Sequence, residues 1–500
     1  MNLINLKFQT ASGVRWTALS TICITAIQFI QLAIVGRLLG PEAFGLMAMV
    51  MVVMESAGIF ADVGLSSAII QRKEPKKEEL STLYWFNVIV GFIVFSLICL
   101  FTPVVAIGFC ADEIRNLLPV AALSFVISPF GVQFQTLLRK YLRFDVITKI
   151  NVCSAIAGML TAIGCALNGY GVWSLIWGGL SNAAIRTVFL IAWGWHAKWR
   201  PKLYFKWSDM QGYLSFGLYR VGAMVANQLN SRADQILIGV LMGPVALGYY
   251  NIAFRLVMEP IQKISPILTN VAFPVFSIIQ DDTARLKRGF FQMIRFLMSV
   301  NAPVLIGMAV VAPLAVPLLI GEKWLPSIPL VQILSFYALA RSLGNAGGSL
   351  IIAKGKANWT FYWNIALLLI IPTVVYFSSF EGEMVHIAFA LVIMQVVLFF
   401  CHYRVFIRNL IGACLSEYLH VLGRPIILSL AMSAIVLSCS FFIRDLSVAI
   451  TLSVQISIGV LTYLALLWFF QRDLFSEAIQ LLPVKFGLAK FAKQCAKQNE

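Results

Sequence analysis

Ten ionisable side chains sit inside stretches of sequence that are otherwise apolar. Six are cationic, Arg220, Arg232, Arg255, Lys263, Arg295 and Arg341, and four are acidic, Glu55, Asp62, Asp234 and Glu259. Charge at bilayer depth costs several kcal/mol by order of magnitude, so it marks a site, a water-filled cavity or a structural pair. Cations outnumber acids, so at least two lack a countercharge. An uncompensated cationic cavity attracts an anion, and the planar guanidinium fork suits phosphate. At 100° per residue, Arg220, Asn227, Ser231 and Asp234 share one helical face, and Arg255, Glu259 and Lys263 follow at i, i+4 and i+8. Glu55 and Asp62 stand seven residues apart on one face. The plain alternative is pairing, Glu259 with Arg255 or Asp234 with Arg220. A desolvated carboxyl also titrates high enough to carry a proton, which makes all four acids candidates for ion coupling.

A softer polar stripe, Thr17, Thr21, Thr25, Gln28 and Gln31, is placed to line a cavity for a hydroxyl-rich ligand. Motifs for other chemistries are absent. There is no phosphate-binding G-x-x-x-x-G-K-[ST] loop, no H-E-x-x-H and no G-x-S-x-G. The four histidines, His196, His386, His402 and His420, are scattered near the ends of apolar segments, and the nine cysteines show no C-x-x-C spacing. The sequence therefore calls for no metal, no cofactor and no catalytic residue, and it reads as a transporter rather than an enzyme.

The elements that position these charges must be membrane helices. The chain has 500 residues, 60% hydrophobic and 12% charged, with mean hydropathy +0.86. Soluble domains carry about 25% charged residues, and the apolar runs are continuous rather than alternating, which excludes a barrel. The expected architecture is an all-α polytopic bundle of about 14 spans at ~20 residues each. The spans read as 16–38, 43–65, 82–107, 116–138, 150–168, 171–193, 213–241, 246–270, 290–319, 327–352, 359–380, 384–403, 424–443 and 447–470. The N-terminus lacks a cleavage motif, so the first span is expected to serve as its own insertion signal. Net charge is +16. Nucleic acid is not the expected partner, because the basic residues concentrate in alternate loops. Arg72 to Lys77, Arg139 to Lys149, Lys198 to Lys206, Arg285 to Arg288, Lys354, Lys356, Arg404 and Arg408 share one face; Arg37, Arg115, Lys323 and Arg444 lie on the other. The first face is therefore cytoplasmic, with both termini inside. Trp193, Trp195, Trp199 and Trp207 mark an interfacial belt there. The tail beyond 470 mixes Leu474, Phe475, Ile479, Leu482, Phe486 and Phe491 with lysines and reads as a helix on the anionic inner leaflet.

The chain also repeats itself. VGRLLGPEAFG (35–45) recurs as IGVLMGPVALG (238–248), with six of eleven positions identical, and AIIQ before one charged loop recurs as SIIQ before the next. Six spans separate the copies, so the repeats are parallel. The expected organisation is a six-helix lobe over 1–207, a second over 208–410, two added spans over 411–470 and a basic amphipathic tail over 471–500.

RLLGPEAFGLMAM (37–49), AIIQRKEPKKEELSTLYWFNV (68–88), FPVFSIIQDDTARL (273–286), GEKWLPSIP (321–329) and RSLGNAGGSLIIAKGKAN (341–358) together carry a family resemblance. The sequence resembles bacterial polysaccharide flippases of the multidrug/oligosaccharidyl-lipid/polysaccharide exporter superfamily, in the branch of colanic acid exporters. The resemblance covers the chain up to about residue 410. It implies two six-helix lobes and translocation of undecaprenyl-diphosphate-linked repeat units across the cytoplasmic (inner) membrane by alternating access. It implies as partners the lipid-linked oligosaccharide and membrane lipids, with a polysaccharide polymerase and a chain-length regulator as further candidates. Such flippases use cationic residues in spans 1, 2, 7 and 8; here spans 7 and 8 supply Arg220, Arg232, Arg255 and Lys263, while span 2 supplies only acids. Two other readings stand beside it. A cation-coupled drug antiporter of the same superfamily predicts 12 spans and an acidic or apolar cavity. A membrane polymerase predicts a long external loop with catalytic Arg or His.

Overall fold

The computed structural model describes residues 3–61, 69–70, 76–197, 199–207, 211–440 and 447–471, and of these the side chains of 3–11, 211–224, 226, 267–271, 345 and 357 are outside the description. Asp62, the Arg220 side chain and the tail from 472 lie outside the described residues.

Every regular element among the described residues is helical. In chain order they are α1 (Leu3–Leu38), α2 (Pro41–Ala61), α3 (Lys77–Gly108), α4 (Ile114–Ile127), α5 (Pro129–Lys140), α6 (Phe144–Leu167), α7 (Trp173–His196), α8 (Gln211–Ile278), α9 (Thr283–Ile320), α10 (Ser327–Ala353), α11 (Ala357–Ser379), α12 (Met384–His402), α13 (Arg408–Ile411), α14 (Leu415–Ser440) and α15 (Val448–Phe470). A short 3-10 turn, Glu322–Trp324, precedes α10, and a π-helical stretch, Tyr403–Ile407, joins α12 to α13. The all-α polytopic architecture is as expected. Apolar side chains face outward along these helices, for example Leu100 at 70%, Leu369 at 68% and Phe469 at 70% exposure, because their solvent is lipid.

Length and apolarity alone do not reach the expected fourteen spans. Among the described residues, eleven helices are long and apolar enough to cross a membrane, or twelve when α4 and α5, bent by 46°, are counted as one. The bend falls at Pro129, which opens α5 at a position where its missing N–H costs no helical bond. Two features make the difference. The expected span 327–352 corresponds to α10, which is made too polar by Ser335, Arg341, Ser342 and Ser349. The expected spans 213–241 and 246–270 run together as α8, interrupted only at Gly243, where φ is 80° and ψ −176°. That residue reverses the chain. Asp234 and Tyr250 would stand about 24 Å apart in a straight helix, at 1.5 Å per residue, yet their side chains are hydrogen-bonded at 2.6 Å.

The chain packs as two compact units that cut across the sequence repeat. One comprises Met1–Ile252, Leu319–Ser327 and Phe361–Ala390; the other comprises Ala253–Leu318, Ile328–Thr360 and Leu391–Glu500. In the first, α6 and α7 meet through glycines: a Cβ on Gly158 would lie 2.8 Å from the Gly178 carbonyl, and one on Gly178 would lie 2.9 Å from that of Gly158. Small residues let membrane helices approach this closely where no hydrophobic drive separates helix from lipid. The two copies of the Gly-Pro turn pack the same way. A Cβ on Gly45 would collide with the Pro244 carbonyl, and one on Gly248 with the Pro41 carbonyl. The segment after α7 is pinned to the start of α3: Trp85 Nε1 donates to the Lys202 carbonyl at 2.9 Å, and the Lys202 amide to Ser81 Oγ at 3.1 Å. In the second unit Tyr418 of α14 sits among Phe290, Phe291 and Phe399, and Tyr463 of α15 donates to the Ser299 carbonyl of α9 at 2.8 Å. These contacts bind the last two long helices to α9. Asp282 caps α9 through the Ala284 and Arg285 amides, and the Arg285 amide above all holds its carboxyl below the usual range.

Candidate functional site

The intramembrane charges fall into two groups of different character. In the first unit they are matched. Arg232, in the first half of α8, presents its fork to Glu55 of α2: Nε donates to Oε2 at 2.8 Å and Nη2 to Oε1 at 2.9 Å. Glu55 also accepts from Gln228 Nε2 at 3.0 Å, and Arg232 Nη1 donates to Gln235 Oε1 at 3.0 Å. Gln228, Arg232 and Gln235 lie on one face of a helix, from which Gln228 and Arg232 reach Glu55 of α2. The pair is about a third exposed, 28% for Arg232 and 33% for Glu55. Asp234 is 3% exposed. It accepts from the Tyr250 hydroxyl at 2.6 Å and from the Gln235 amide at 2.9 Å, which ties the two halves of α8 together. Asn230 donates to the Asn364 carbonyl of α11 at 2.6 Å.

In the second unit two cations share one carboxylate. Arg255 and Lys263 each approach Glu259 only to 3.9 Å, one from either side. Oε2 of Glu259 is buried without a hydrogen-bond partner. A single carboxylate thus faces two cations and satisfies neither with a hydrogen bond, since 3.9 Å exceeds donor–acceptor range. Nε of Arg295 is likewise buried without a partner. Arg341 is held differently: Nη1 donates to the Tyr337 hydroxyl at 2.7 Å, and the guanidinium lies 5.7 Å from that ring. Among the described residues of this unit, Arg255 and Lys263 share the single carboxylate of Glu259.

The expected site residues divide between the two units. The expected pairing of Arg255 with Glu259 occurs, but loosely. Arg232, expected as an anion ligand, is already chelated by Glu55, so both residues have a structural partner. Asn227 is exposed, and Gln28 and Gln31 of α1 are half-buried. Sequence reasoning passed over Gln228, Gln235, Tyr250 and Tyr337. The first two were legible as polar residues on the Arg232 face. Tyr337 stands four residues before Arg341, a helical spacing that was legible, whereas Tyr250 carries no such signal because its partner Asp234 comes from the opposite half of α8.

The comparisons with known proteins agree with this architecture. Residues 34–329 match the family described as polysaccharide biosynthesis protein. The chain belongs to that family. It is 32% identical to the teichuronic acid biosynthesis protein TuaB of Bacillus subtilis, over 92% of this chain and 95% of the relative. It is 32% identical to the lipopolysaccharide biosynthesis protein WzxC of Escherichia coli, over 85% of this chain and 87% of the relative. In fold it is similar to the lipid II flippase MurJ in an inward closed conformation, with TM-score 0.74 and 14% identity, over 92% of this chain and 99% of that one. It also resembles an inward-facing multidrug resistance transporter of the MATE family, with TM-score 0.57 and 15% identity, over 76% of this chain and 94% of that one. The chain is a multi-pass membrane protein of the polysaccharide biosynthesis family, with a fold similar to that of the solved flippase.

Proposed function

We propose that this chain translocates undecaprenyl-diphosphate-linked oligosaccharide repeat units across the bacterial cytoplasmic membrane, for exopolysaccharide or lipopolysaccharide assembly. The observation that carries the reading is the surplus of cations in the second unit, where Arg255 and Lys263 sit at bilayer depth with one distant carboxylate between them. A diphosphate brings about two negative charges past lipid, and each needs countercharge there. Arg255 offers two parallel N–H donors to phosphate oxygens, and Lys263, two turns away on the same face, offers a point charge. Arg295 supplies a further buried donor without a partner. Glu259 keeps the empty site from being wholly unpaired, and its lack of hydrogen bonds makes it a weak competitor for the ligand.

The remaining assignments follow from the sequence. Gln28 and Gln31 are the groups for sugar hydroxyls. The two repeats are read as the lobes whose relative motion gives alternating access, with both termini in the cytoplasm. Relatives named for teichuronic acid and lipopolysaccharide biosynthesis support the substrate class. The drug-antiporter reading shares the fold, but it predicts an acidic or apolar cavity, and the unmatched charges here are cationic. A deletion strain tests the proposal. It should accumulate lipid-linked repeat units, and the wild-type chain, but not Arg255→Ala, should restore export. A deletion that leaves lipid-linked intermediates at the parental level would overturn the reading.

A further inference from the structure

GEKWLPSIP, one of the stretches that carry the family resemblance, has no part in the anion site, yet it holds the largest fully buried side chain in the described structure. Trp324 is 0% exposed, although it belongs to a three-residue turn between α9 and α10. Its indole N–H donates to the Gly36 carbonyl at 2.9 Å. Its ring meets Phe44 edge-on at 5.2 Å and Tyr249 edge-on at 6.0 Å. Ser327 reaches the Tyr249 carbonyl at 3.4 Å. One side chain thus joins the end of α1, the start of α2, the reversal in α8 and the turn after α9.

The chemistry of these bonds is distinctive. Gly36 is among the last four residues of α1, and its carbonyl has no partner within the helix. Leu319 is likewise among the last four residues of α9, and its carbonyl accepts from Arg37 Nε at 3.3 Å. Each helix end therefore caps the other, through side chains only. If the ends part, water at the membrane surface can take over both carbonyls and neither helix loses an internal bond. At the adjoining turns, Gly45 meets the Pro244 backbone and Gly248 the Pro41 backbone, so Trp324 with Phe44 and Tyr249 supplies the side-chain packing there. This is the make-up of a contact that opens and closes, rather than of a core.

We propose that Trp324 is the bolt of the external gate: seated between α1, α2 and α8 it seals the outer end, and it must withdraw for a lipid-linked substrate to leave on that side. The inference rests on the transport reading and on the charge-derived sidedness that puts Arg37 and Lys323 outside. Trp324 acts by positioning helix ends; it is not a ligand for the diphosphate.

A reversible lock tests it without touching Trp324. A Cβ on Gly36 would lie 3.2 Å from Ile320 Cβ, close to the ~3.5–4.5 Å that a disulfide spans. Gly36→Cys with Ile320→Cys also removes the isoleucine methyl that would crowd the new side chain. In the deletion strain, oxidation of this variant should stop export and a reductant should restore it, with the wild-type chain indifferent to both treatments. Full export at complete cross-linking would overturn the proposal. A second measurement covers a pair that fails to fold. Ser327 is 0% exposed, so Ser327→Cys should react slowly with a membrane-impermeant thiol reagent added outside. Adding Trp324→Ala should raise that rate about tenfold, equivalent to ~1.4 kcal/mol of lost closure. An unchanged rate at equal protein level would sink the bolt. Trp324→Phe keeps the ring and loses the N–H, and should fall between. If the transport reading itself is wrong, the wild-type chain will not restore export, whatever happens at the lock.

Discussion

Arg232 and Arg255 carry the same guanidinium but differ in what already holds it. Arg232 is gripped at both prongs by Glu55, whereas Arg255 has only a carboxylate at 3.9 Å. Substitution should separate the two. Arg255→Ala should abolish export and Arg255→Lys should leave weak transport, because lysine keeps charge but loses the paired donors. Both should accumulate to normal protein levels. If Arg255 were only a partner for Glu259, the double variant Arg255→Ala, Glu259→Ala would recover export; recovery in a complementation assay ends the diphosphate assignment. Arg232→Ala should instead lower stability. The expected loss is about 1–3 kcal/mol, under the 3–5 kcal/mol of a fully buried pair because each side chain is a third exposed. The Arg232→Ala, Glu55→Ala double variant should lose less than Arg232→Ala alone, as read from thermal midpoints in detergent. A sequence shows a charge and its own helical neighbours, so the 255–259–263 ladder was legible. It could not show that Glu55, 177 residues before Arg232, would take that fork.

At the scale of elements, the repeated Gly-Pro turns have unequal tasks. Gly243 needs its left-handed φ of 80° to turn α8 back, so Gly243→Ala should cost about 1–2 kcal/mol from backbone strain alone. Gly45 and Gly248 need no special backbone angle but have no room for a methyl. Gly45→Ala should therefore be worse than an exposed glycine replacement such as Gly382→Ala, which meets nothing within 4 Å but carries its own φ of 75°. Thermal midpoints should rank Gly45→Ala lowest; the reverse order would mean that the crossing relaxes freely. The turns themselves were legible as a repeat. Their mutual contact was not, since identity between two copies says nothing about whether they touch. Two of the expected spans are less plain by length and apolarity than the rest: one lies in α10 and one in the folded-back half of α8. α10 is a helix as expected, but Ser335, Arg341 and Ser342 make it read as less apolar than its neighbours.

For the whole molecule, the charge asymmetry makes sidedness directly testable. A cysteine at Asp281 should be labelled only from the cytoplasmic side and one at Lys323 only from outside; the opposite pattern would invert the topology. The reciprocal turn contact has a deeper consequence. Gly45 on Pro244 and Gly248 on Pro41 is the isologous pattern that two identical subunits make about a two-fold axis. Here one covalent chain makes it with itself. Two identical subunits would have to accept every change twice, once on each side of the axis; a fused chain accepts it once. The flanking residues have used that freedom. Arg37 in one copy stands where Val240 stands in the other, and Gly36 meets a hydrogen-bonding tryptophan where its counterpart Gly239 meets the bare ring of Phe109. Symmetry supplied the close crossing, and its loss on one side supplied a polar fastening.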